Sequence, residues 1–107
     1  MSDQWKETEK LASPNVKVID NLRELLSIIN HMIKIRDAGA DKAFTFTILN
    51  RMWWREICPL LALCSISYEK FDEKEQNIEV KTKAIMDRSL KIRENIIKVL
   101  AAIDSKR

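Results

Sequence analysis

The chain has 107 residues, enough for one domain, of which 46% are hydrophobic and 33% charged, a balance that excludes a disordered tail. One glycine and two prolines fall far below the usual ~7% and ~5%, too few for the turns of an all-β sandwich or barrel, or for a phosphate-cradling loop. Nineteen basic against sixteen acidic side chains leave a net charge of +3, less than the basic excess usual in proteins that grip duplex nucleic acid through its phosphates.

Residues 1–12 are polar with two apolar anchors, Trp5 and Leu11. They read as an arm or short helix ahead of a helical-bundle domain over residues 13–107. The opening Met1-Ser2-Asp3-Gln4-Trp5-Lys6-Glu7 is polar and charged, unlike a secretory signal. A cytoplasmic protein with free thiols at Cys58 and Cys64 is therefore expected. No apolar stretch reaches the ~18 residues of a membrane span, so no membrane association is expected.

Ser13-Pro14 has the form of a helix start, with serine as cap and proline at the first helical position. From there Val18, Leu22, Leu25, Ile29 and Met32 follow at spacings of four and three, which is one helical face. Gly39 falls where a left-handed cap is wanted, so the first helix is predicted over residues 14–38.

Asp41 is the predicted cap of the second helix. Phe46, Leu49, Trp53, Ile57, Leu60, Cys64, Tyr68 and Phe71 keep helical spacing after it. Between Ile57 and Ile66 every face is apolar, which predicts a central element buried all round. Pro59 interrupts this helix, because its ring clashes with the carbonyl of Arg55 and it has no N–H to donate. A kink is the favoured outcome; a break there would make four helices.

Asp72-Glu73-Lys74-Glu75 has the spacing of a capping box and predicts the start of the third helix. In that helix Ile78, Ile85, Ile92 and Val99 recur every seven residues, with Thr82, Ser89, Ile96 and Ile103 in the second seam. A helix of about 30 residues is roughly 45 Å long, whereas a compact globule of this size has a radius of gyration of ~13 Å. The predicted fold is therefore all-α, an elongated antiparallel three-helix bundle.

Few residues point to chemistry. His31 is the single histidine and sits on the polar side of the first helix. Cys58 and Cys64 are spaced unlike a zinc pair, and on a helix they diverge by about 120°. The acidic run Glu69, Asp72, Glu73, Glu75 and Glu79 lacks the glycine and alternation of a calcium loop. Glu56, set between Trp54 and Ile57, is expected to pair with a cation such as Arg36. No catalytic residue, metal site or cofactor is assigned, and the protein is not expected to be an enzyme.

Trp53-Trp54, flanked by Arg51 and Arg55, is the most unusual local feature. Neighbours on a helix diverge by ~100°, which puts Trp53 in the seam and turns Trp54 aside. Tryptophan beside arginine is the composition of a binding hot spot, so Trp53, Trp54, Arg51 and Arg55 are the candidate partner-binding residues. Lys81, Arg88, Lys91 and Lys98 line one flank of the third helix as candidate polyanion-binding residues. The apolar arcs are wider than a simple seam requires, which leaves a strip for a protein partner or a second copy. The expected function is a small non-enzymatic interaction module (an adaptor, regulator, inhibitor or assembly subunit) that self-associates. The alternative is an accessory subunit touching nucleic acid through the basic flank.

Overall fold

The computed structural model describes residues 16–105. The predicted arm over 1–12 and the Ser13-Pro14 start lie outside these residues. Among the described residues the fold has three rods. The first, α1, spans Val16–Asp37; α2 is wound in three successive stretches, Lys42–Met52, Trp53–Ile57 and Cys58–Leu63; and α3 spans Ile78–Ser105. There is no strand among the described residues. None of their helices is long and apolar enough to cross a membrane.

Local chemistry accounts for the α1–α2 hairpin. Leu22, Leu25, Ile29 and Met32 are the buried stripe of α1, as its four-and-three spacing requires. Gly39 ends that helix at φ +70°, where a side chain would be strained. Asp41 starts α2, its carboxylate accepting the Phe44 N–H at 3.1 Å.

Proline does not break α2. The stretch Trp53–Ile57 is a π turn, in which the Cys58 N–H donates to the Trp53 carbonyl five residues back. An extra residue is thereby taken up just before Pro59, where the ordinary ladder has neither a donor nor room for the ring. Met52 and Cys58 on either side remain right-handed helical, at φ/ψ −61/−42° and −58/−43°. Pro59 therefore does not split α2 into two rods.

Two predicted boundaries move. The second helix does not run on to Phe71 but ends after Leu63. The Ser65 N–H donates to Ala62 O at 3.2 Å and the Ile66 N–H to Leu61 O at 2.8 Å. This is the Schellman arrangement, with Ser65 at φ 56° in the left-handed position that glycine usually takes. Serine-rich Ser65-Ile66-Ser67 propagates a helix poorly, so the helical spacing of Tyr68 and Phe71 is coincidental. Nor does the third helix start at Asp72. That carboxylate accepts the Lys74 N–H at 3.0 Å and closes a local turn. The cap is Asn77, whose side chain accepts from the N–H groups of Glu79 at 2.9 Å and Val80 at 3.3 Å.

These boundaries leave a long connection, residues 64–77, and with it the direction of α3. Ser89 touches Met32 and Arg93 touches Asn30, so α1 and α3 run in opposite senses. Lys42 pairs with Glu79 and Lys81 lies over Phe46, so α2 and α3 start together and run parallel. Segment 64–77 returns between them as a strap. The core lies where the rods meet, built from Leu25, Ile29 and Met32 of α1, Leu49, Trp53, Ile57 and Leu61 of α2, and Ile85, Met86, Ile92 and Ile96 of α3. The extents of 53 × 28 × 17 Å and radius of gyration of 16.4 Å are those of an elongated body. The end of α2 is one-sided and not buried all round: Leu61 is inside, while Pro59, Ala62 and Leu63 are exposed.

Candidate functional site: an aromatic groove beside a strap

The two adjacent tryptophans have opposite fates. Trp53 is fully buried, with Tyr68 edge-on at 5.0 Å between ring centres and Phe71 edge-on at 5.5 Å. Its indole N–H is buried and has no hydrogen-bond partner among the described residues. Trp54 is 50% exposed. Its Nε1 donates to the Asn50 side chain at 3.1 Å, and Phe71 lies tilted against it at 5.8 Å.

Phe71 is held from its other side by α3. The Arg88 guanidinium stands 4.2 Å from the Phe71 ring centre, within cation–π range. Its Nε donates to Glu69 O at 2.6 Å, Nη2 to Lys70 O at 2.8 Å and Nη1 to Ala84 O at 2.9 Å. A planar fork can serve two strap carbonyls and its own helix together, which a lysine ammonium cannot.

Beside this cluster lies a groove of about 770 Å³ between α2, the strap and α3. Phe46, Trp54, Phe71 and Val80 give it an apolar floor, and Glu69, Asp72, Glu73 and Glu75 belong to its strap wall. On the other side of Arg88 a second hollow, of about 720 Å³, opens between α1 and α3 and includes Cys64, Ile66 and Tyr68.

The predicted partner-binding set therefore divides. Trp54, Arg51 and Arg55 are exposed on α2. Trp53 is corrected: covered by Tyr68 and Phe71 it has no exposed surface to offer a partner, and it serves as the floor beneath them. The predicted polyanion flank divides too. Arg88 is spent on the strap and Lys81 lies 5.7 Å from the Phe46 ring centre. Lys98 sits 3.5 Å from Glu94, and Lys91 is exposed. Such a set is not a row of free cations.

Tyr68, Phe71 and the clamping role of Arg88 are what the sequence reading missed. Aromatic residues at helical spacing after Trp53 looked like more helix, although their aromatic character was itself the signal of a shared cluster. Glu56 is exposed, and the structure pairs Arg36 with Asp37. His31 is exposed.

Cys58 and Cys64 are free and part-buried, and burial raises both thiols above their ordinary value, so the reactive thiolate is disfavoured. The Tyr68 hydroxyl, 3.9 Å from the Cys58 sulfur, is also raised, by burial first and then by that thiol. Among the described residues no three His, Cys, Asp or Glu side chains gather in a way that could hold a metal ion. No family model, no curated protein and no solved structure matches this chain.

Proposed function

We propose that this chain is a small non-enzymatic protein-interaction module whose docking face is the groove centred on Trp54. One observation carries the reading: a half-exposed indole tied at its nitrogen to Asn50 and backed by Phe71. An aromatic side chain that is already immobilised loses little freedom on binding, which makes it an efficient anchor. Exposed Arg51 and Arg55 lie on the same rod, and the strap's carboxylates line the groove. A partner segment carrying an apolar anchor between polar groups fits that lining.

The test compares the wild-type chain with Trp54→Ala, by sedimentation and by affinity capture from its native cell extract. The expected result is a dimer, or a saturably bound protein, that the variant loses while its helical circular dichroism is kept. A second copy and a different protein are the two forms this result can take. Sedimentation of both chains as monomers, with identical captured proteins, would overturn the reading.

A further inference from the structure

The proposed docking face already has an occupant from its own chain. Phe71 lies against both indoles, where a partner's anchor would be expected to sit. We propose that the strap is a gate: residues 67–71 lift off as a unit while the three rods stay folded, and this exposes Trp53 beside Trp54. That the gate regulates docking rests on the function proposed above; the opening itself does not.

Three features make the strap separable from the bundle. First, among the described residues no backbone–backbone hydrogen bond is formed by residues 67–71. The carbonyls of Glu69 and Lys70 are held instead by the Arg88 side chain. Second, both ends are closed off independently of the middle. The Schellman bonds of Ser65 and Ile66 finish α2, and Asn77 caps α3, so lifting the stretch between them breaks no helical bond. Third, the closed strap leaves the Trp53 N–H buried with no partner among the described residues. Opening lets water reach that donor, which offsets part of what is lost when the rings separate.

What favours closure is equally local: the edge contacts of Tyr68 and Phe71 on Trp53 and the Arg88 fork. The rod–rod seam around Leu25, Ile29, Ile92 and Ile96 uses neither. Closed is therefore the major form and open a minor one, available to any ligand that prefers it. A positive φ at Ser65 places strain at the pivot, as bistable segments often do.

The experiment is hydrogen exchange by NMR on the full chain, read at the Trp53 indole N–H and at the backbone amides of Leu25 and Ile29 across low urea concentrations. A gate predicts that the indole exchanges faster than those amides and with little urea dependence, because little surface is exposed on local opening. Arg88→Lys keeps the charge and loses the fork, and should speed indole exchange about tenfold. If the indole and the two amides exchange together at every urea concentration, the strap opens only when the whole protein unfolds, and the gate is wrong. No partner enters this measurement, so it can fail while the Trp54 docking face stands, or succeed while that face falls.

Discussion

The seam between the rods and the aromatic cluster under the strap both exclude water, but by different means. Side chains in the seam recur at helical spacing, so each rod delivers a continuous stripe and most contacts are aliphatic. Dispersion and burial are shared over many residues there, and no single one decides the fold. Under the strap, three rings and one guanidinium come from α2, a segment without regular structure, and α3. Here few contacts act, they are directional, and two of the three rings belong to a segment that is not helical. A stripe distributes its stability, whereas a clamp concentrates it, so the two regions should respond differently to single substitutions.

The largest contrast is expected in the seam. Ile92 is 6% exposed, and Ile92→Asp buries an unpaired charge at a cost of several kcal/mol against a total of ~5–15. It should abolish the cooperative urea transition. Lys91→Asp, one exposed position earlier, should stay within about 0.5 kcal/mol of wild type. Equal effects at both positions would show that the stripe on α3 is misplaced.

Phe71→Ala probes the clamp. A fully buried phenylalanine is worth about 3–5 kcal/mol on truncation. Phe71 is only part-buried, so roughly 2 kcal/mol is expected, seen as a lower urea midpoint with helical circular dichroism kept. Loss of that helical signal would mean the strap holds the rods together, and the distinction between the two regions would fail.

Ser65→Gly is the smallest and sharpest probe. The residue sits at φ 56°, where an L side chain is strained by about 1–2 kcal/mol and glycine is not. Part of the relief is offset by the extra freedom glycine gives the unfolded chain. A net gain of about 0.5–1 kcal/mol in urea denaturation is expected. A destabilised variant would mean that the Ser65 side chain contributes more than its backbone costs.

What could be read from residues alone was whatever depends on neighbours three or four apart. The stripe Leu22, Leu25, Ile29, Met32, the stop at Gly39 and the cap at Asp41 all obey such rules, and each is found in place. For the site the same reasoning separated Trp53 from Trp54 by helical rotation, and one is buried while the other is half exposed. It gave Trp53 to a partner too readily, because rotation says which way a side chain turns and not what covers it. Asp72-Glu73-Lys74-Glu75 misled for a related reason. A capping box and an isolated turn begin with the same acidic acceptor, and Asn77 was the cap that led into the helix.

The amphipathic stripes and the scarcity of glycine by themselves determined an all-helical, elongated bundle, because backbone hydrogen bonding within a rod and the burial of one face need no knowledge of distant residues. Tertiary structure alone decided that α2 and α3 run parallel and that Arg88 reaches the strap carbonyls of Glu69 and Lys70. Each of those outcomes depends on which residues meet across a long loop. The spacing of side chains along one helix carries no record of that.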